Sequence, residues 1–190
     1  MKELIDYLNA IHPLSPELQE HLLQILKTRK LHKKEYLLKA GHICRNICFI
    51  QSGLLRCFYS IDNKEVNSWF MKEGDIIVSV ESFFDQKASY ESIQALEETQ
   101  LFCIEHAQLE HIYHTYPEFN YVARVLLQKY YKQSEQRLYS LRMKRSQERY
   151  DYLMKHFPEL ILRVPAKHLA TYIGMAEETV SRIRSQKLFS

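Results

Sequence analysis

Gly174 divides the stretch VPAKHLATYIGMAEETVSRIR, residues 164–184, into two short amphipathic segments. Upstream, Leu169, Ala170 and Ile173 recur at helical spacing and share one side of a helix that begins near His168. A glycine at that helix end accepts positive φ without a Cβ penalty, and Met175 is placed to plug the inside of the turn. Downstream of about Ala176, Val180 and Ile183 repeat at i, i+3 and define a second inward stripe. Two short helices joined by a few residues and one glycine predict a helix-turn-helix unit. Its outward face holds Glu177, Glu178, Thr179, Ser181, Arg182 and Arg184, groups that can reach base edges and phosphates. The competing reading is a helical hairpin packed on a core.

Charge separates the two ends of the chain. Residues 1–117 hold 12 Lys+Arg against 16 Asp+Glu, a balance of −4; residues 118–190 hold 14 against 7, or +7. An acidic front and a basic back suit a regulatory half joined to a half that binds a polyanion. The 190 residues leave room for a sensor domain and a small appended module. No run reaches the ~18 apolar residues of a membrane span. The start, MKELIDYLNAIHPLSPELQ, has acids and no apolar core, so a secretory signal is not expected. Cys44, Cys48, Cys57 and Cys103 show no tight pairing and read as reduced thiols of a cytoplasmic protein.

Residues 1–30 read as helical, with Leu4, Ile5, Leu8 and Ile11 in one stripe. Ser15 then caps a second helix, with Pro16 at its first position and Leu18, Leu22, Leu23, Ile25 and Leu26 inside. From Tyr36 to Ile104 the pattern changes to short β-branched and aromatic runs. Strands are predicted near 35–39, 46–51, 54–61, 65–71, 76–78, 90–96 and 99–104, with turns at Asp62-Asn63-Lys64 and Lys72-Glu73-Gly74-Asp75. So many short strands indicate a sandwich or jelly roll. A long helix over 118–143 follows. Leu127, Tyr131, Ser134, Leu138 and Leu141 step by 4, 3, 4 and 3 along it, a coiled-coil seam for a second copy. Phe119, Val122, Leu126 and Tyr130 form another stripe that faces the sheets. A helix over 146–157 carries Tyr150, Leu153, Met154 and Phe157 inside.

The glycines mark corners. Leu38-Lys-Ala-Gly41, Phe49-Ile-Gln-Ser-Gly53 and Lys72-Glu-Gly-Asp75 resemble the glycine-marked corners of the cyclic-nucleotide-binding domain. The run Gly174–Arg184 resembles the recognition element of CRP/FNR-type transcription regulators. The resemblance spans nearly the whole chain, in order. It implies an α+β fold: a jelly-roll sensor over 1–117, a dimerisation helix over 118–143 and a helix-turn-helix domain over 144–190. It also implies a homodimer on double-stranded DNA, RNA polymerase as a partner, and no enzymatic activity. Arg182 matches the family's guanine-reading arginine and Glu178 its cytosine-facing glutamate, while Thr179, Ser181 and Lys167 match phosphate contacts. Glu177 departs from relatives that carry a cation there, which implies an altered operator. With Ser190 close behind, little of the family's β-wing is expected.

The family's nucleotide binders clamp a cyclic phosphate with helix-end N–H groups, a Glu and an Arg. The matching segment is Ser79–Tyr90, and its candidate effector residues are Ser79, Glu81, Ser82, Lys87, Ser89 and Tyr90. Glu81 falls at the Glu position to within one residue, but Ser89 or a neighbour stands where the Arg belongs. No arginine occurs between Arg56 and Arg124. Losing one charge-assisted phosphate contact costs roughly 1.5–3 kcal/mol. The segment therefore argues against cyclic AMP, and for a different small-molecule effector or none.

An iron–sulfur cluster is not expected, since no cysteine precedes Cys44. His111 and His114 share a helical face near His106 but lack a third ligand at metal spacing, so no metal is expected. Two other classes compete: a cupin-type jelly-roll enzyme with a metal on barrel histidines, and a ligand-binding or interaction module that does not touch DNA.

Overall fold

The computed structural model describes residues 1–62 and 64–188, without the side chains of 186–188; Asn63 of the expected Asp62–Lys64 turn lies outside it. The chain forms two compact units, Met1–Cys57 with Met71–Tyr130, and Phe58–Phe70 with Tyr131–Ser190.

The first unit opens with α1 (Lys2–Ile11), which buries Leu4, Ile5 and Leu8. In α2 (Pro16–Ile25) the Ser15 hydroxyl accepts from the Leu18 N–H at 3.3 Å, as a capping serine should. Leu18, Leu22 and Leu26 are buried one turn apart; Leu23, expected inside, is 48% exposed, and Ile25 is half-buried. The helical reading to residue 30 fails. Lys27–Leu31 is an edge strand, β1, paired antiparallel with the last strand of the unit. Its first four residues face solvent, so no side-chain period announces it. Ladder hydrogen bonds hold it, and lysines suit such an edge.

The remaining strands are β2 (Tyr36–Leu38), β3 (Asn46–Ser52), β4 (Leu54–Ile61), β5 (Lys64–Lys72), β6 (Ile76–Ile77), β7 (Ser92–Ala95) and β8 (Thr99–Glu105). They build sheets of order β1-β8-β3-β6 and β2-β7-β4-β5. Ile50, Leu54, Leu55, Ile93 and Leu101 are fully buried. Gly53 makes the β3–β4 corner possible: at φ +103 a Cβ would lie 2.6 Å from the Glu98 carbonyl oxygen and 2.7 Å from Thr99 Cα. Helices α3 (Val80–Asp85) and α4 (His106–Thr115) complete the unit, with the first half of α5 (Pro117–Met143). Along α5, Phe119, Val122 and Leu126 are buried, and the Ile76 N–H donates to the Tyr130 hydroxyl at 2.7 Å.

The cysteines depart from expectation. Cys48 and Cys103 stand opposite each other in the β3–β8 register and are joined by a disulfide. Cys44 and Cys57 are free, and Cys44 lies just before β3. Burial pushes both thiols up, Cys57 most, so they stay protonated and unreactive. A separation of 55 residues hides from the sequence a pair that strand register brings together.

The second unit contains α6 (Ser146–His156), α7 (Pro158–Arg163), α8 (Ala166–Ile173) and α9 (Glu177–Leu188). Tyr150, Leu153, Leu160, Ile161, Val164, Leu169 and Ile173 form its core; Met154 and Phe157 are half-buried. The short α7, with Pro158 at its start, has no counterpart in the sequence reading. Together these elements make the α+β fold: an N-terminal jelly roll, a long helix, and further helices.

Candidate nucleic-acid interface

The turn between α8 and α9 is built as its glycine demands. Gly174 ends α8 at φ 64, ψ 49, and the Met175 N–H closes on the Ala170 carbonyl at 2.9 Å. Beyond it Val180 (0% exposed) and Ile183 (6%) fix which way α9 is rolled. That roll turns Glu177, Glu178, Ser181 and Arg182 to solvent, with Thr179 half-buried. Lys167, in the first turn of α8, is also exposed. Arg184 is half-buried, its Nη1 3.4 Å from the Val164 carbonyl oxygen. Glu177 and Glu178 also occupy the first turn of α9, where carboxylates suit the helix dipole.

Arg149, which the sequence reading passed over, holds this turn. From α6 its Nε donates to the Ile173 carbonyl (2.6 Å) and its Nη2 to the Gly174 carbonyl (2.9 Å). The same side chain reaches the Lys144 carbonyl (2.7 Å) and the Ser146 hydroxyl (3.2 Å). It answers the orphan carbonyls that close α8. Only a basic residue on the exposed-looking face of a predicted helix marked it, among many such residues.

The seam residues Leu127 (67%), Tyr131 (64%), Leu138 (42%) and Leu141 (38%) stand exposed along α5, as does Ser134. Exposed apolar groups on one helix at coiled-coil spacing leave a surface that the described residues do not cover.

The candidate effector residues divide into two sets. Ser79, Ser82 and Ser89 are buried and bonded to the protein itself. Ser79 Oγ lies 2.9 Å from Ser89 Oγ, Ser89 donates onward to the Glu91 carbonyl at 2.9 Å, and Ser82 accepts from the Cys44 N–H at 2.9 Å. Glu81, Lys87 and Tyr90 face solvent, and Lys87 pairs with Asp85 at 3.1 Å. A cleft of about 320 Å³ in the same unit is lined by Arg29, Tyr36, Lys39, His42 and Arg45 with their neighbours, and includes none of the six. His106 meets Phe83 edge-on and His111 packs on His21. Among the described residues no three His, Cys, Asp or Glu side chains are grouped to hold a metal.

Residues 28–116 match the cyclic nucleotide-binding domain family. No curated protein matches the chain by sequence. Among solved structures, FixK2 from Bradyrhizobium japonicum superposes with a TM-score of 0.72 at 18% identity, covering 85% of this chain and 84% of that one. CLP, the c-di-GMP-responsive global regulator from Xanthomonas campestris, gives 0.70 at 15% identity, with 92% of both chains covered. A CooA mutant from Carboxydothermus hydrogenoformans gives 0.70 at 18%, covering 91% and 85%. At these identities the likeness establishes the fold, and it runs through the helical C-terminal part as well as the jelly roll.

Proposed function

We propose that the protein is a homodimeric, DNA-binding transcription regulator of CRP/FNR type, and not an enzyme. The observation that carries this is the roll of α9: Val180 and Ile183 are buried while Glu177, Glu178, Ser181 and Arg182 face outward. An outward set of this kind on the second helix of such a pair is what enters a major groove. Arg182 would donate to guanine O6 and N7, and Glu178 would accept from a cytosine amino group. Lys167, Thr179 and Ser181 would touch phosphates. Arg184 would join them only by giving up the Val164 carbonyl, and Glu177 would repel phosphate and so alter the operator.

The uncovered seam on α5 is where a second copy would pair, setting two reading helices about one helical turn apart, ~34 Å, on a palindromic site. RNA polymerase is the further partner that this reading implies. The sensor would not hold cyclic AMP in the family's manner, since Ser89 or a neighbour would stand at the family's arginine position and Ser89 is already bonded to Ser79; the effector would be a different small molecule, or there would be none. A chromosomal target puts the protein in the cytoplasm. Among the described residues no helix is long and apolar enough to cross a membrane.

The test is selection of bound sequences from random duplex DNA with the wild type and Arg182→Ala. Enrichment of a palindrome that loses information at one guanine per half-site in the variant supports the reading. Failure to retain any DNA in a salt-sensitive manner defeats it.

A further inference from the structure

Within the second unit, three elements meet at Arg137. From α5 its guanidinium carbon lies 3.8 Å from the centre of the Tyr172 ring on α8 and 6.0 Å from that of Trp69 on β5. Its Nη2 donates to the Asn67 carbonyl, also on β5, at 3.3 Å. Asn67 is 1% exposed and grips α8 in turn. Its backbone N–H donates to Thr171 Oγ1 at 3.2 Å and its Nδ2 to the same atom at 2.8 Å. The Phe70 ring packs on Tyr172 with centres 5.0 Å apart.

A desolvated guanidinium is a costly way to fill this space, since an apolar side chain of like volume would stabilise packing as well or better. Burial pulls the Arg137 guanidinium below its ordinary range and pushes the Tyr172 hydroxyl up, partly offset by their mutual contact. What a planar cation adds is direction. It stacks on one ring and bonds one carbonyl, so α8 fits β5 in a single orientation. This contact leaves Glu177, Glu178, Ser181 and Arg182 on α9 exposed. It therefore does not occlude the reading face. A helix pair already oriented saves the ordering cost when DNA arrives.

We propose that Arg137 is a positioning residue for DNA reading: with Asn67 and Thr171 it latches α8 onto β5 and presents α9 in one pre-set orientation. The proposal rests on the DNA-binding reading above.

The test compares full-length wild type with Arg137→Met, Arg137→Lys and Thr171→Val. Affinity is measured by fluorescence anisotropy on the duplex enriched from random DNA, and hydrogen exchange is followed over residues 166–185. Arg137→Met should weaken binding about tenfold through lost cation–π and hydrogen-bond contacts. The salt dependence should not change, because Arg137 contacts no phosphate in this scheme. Exchange in α8 and α9 should quicken, Thr171→Val should move both readouts the same way, and Arg137→Lys should restore part of each. Unchanged or tightened binding in Arg137→Met overturns the proposal. So does a shallower salt slope, which would make Arg137 a phosphate contact. Wild type that retains no DNA overturns the functional reading itself. Exchange tells that result apart from failure of the latch, since it reads α8 without DNA: unaltered exchange in Arg137→Met sinks the latch on its own.

Discussion

Two glycines at positive φ set very different demands on their positions. At Gly174 an added Cβ would meet only Arg149 Nη2 at 3.7 Å and Leu141 Cδ2 at 3.9 Å, ordinary contacts. Gly174→Ala should therefore cost only backbone strain, about 1 kcal/mol. At Gly53 the Cβ would strike backbone atoms of Glu98 and Thr99 that cannot swing away. Gly53→Ala should cost roughly 3 kcal/mol or more, strain and collision together. Urea unfolding of the two variants checks the order, and a larger loss at Gly174 would contradict it. Both glycines were legible as corners, because a lone glycine between periodic runs has few other uses. Arg149 was not, since its partners are backbone carbonyls 24 and 25 residues away that carry no side-chain signature. Its removal in Arg149→Ala should lower stability by about 2–3 kcal/mol, and lysine should restore little, lacking the planar fork. Asp75 adds a dependence on pH. Burial raises its carboxyl, partly offset by the Lys72 N–H and by Lys129. A raised folded value means its contribution is full below the ordinary carboxylate range and is lost as pH rises through that raised value. Asp75→Asn should accordingly flatten the fall in urea midpoint from mildly acidic to neutral pH.

At the level of elements, period was the reliable guide and its absence the source of error. The interior strands and the stripes of α5, α8 and α9 announced themselves because each buries a regular subset of side chains. The edge strand β1 buries only Leu31 among its residues, and the short α7 gives too few turns for a period to register. The Cys48–Cys103 link ties β3 to β8. Closing a loop of that length lowers unfolded-chain entropy by an amount worth about 4 kcal/mol. Reduction should therefore lower the thermal midpoint markedly. Alkylation of the unfolded, unreduced protein should label Cys44 and Cys57 alone, and labelling of all four cysteines would refute the link. With two of the four thiols so engaged, cysteine usage no longer argues for a reducing compartment.

For the whole molecule, the exposed stripe from Leu127 to Leu141 sets the expected assembly. Replacing Leu127 and Leu138 together by Asp should turn a dimer into a monomer in sedimentation velocity, with little change in the helical signal, because neither side chain is buried in its own chain. The jelly roll, the long helix and the helix pair could all be read from the chain. The arrangement within Ser79–Tyr90 was not legible, because its buried serines bond one another, which no spacing rule reveals. The clasp made by Arg149 has a last consequence, for how the C-terminal portion could be dissected. Anchored at Lys144 and Ser146 and reaching forward to Ile173 and Gly174, it ties the bend to residues that come well before it. An excised peptide starting after residue 149 would keep every letter of the outward face of α9 yet lose the clasp on its elbow, whereas one starting at residue 144 would retain it.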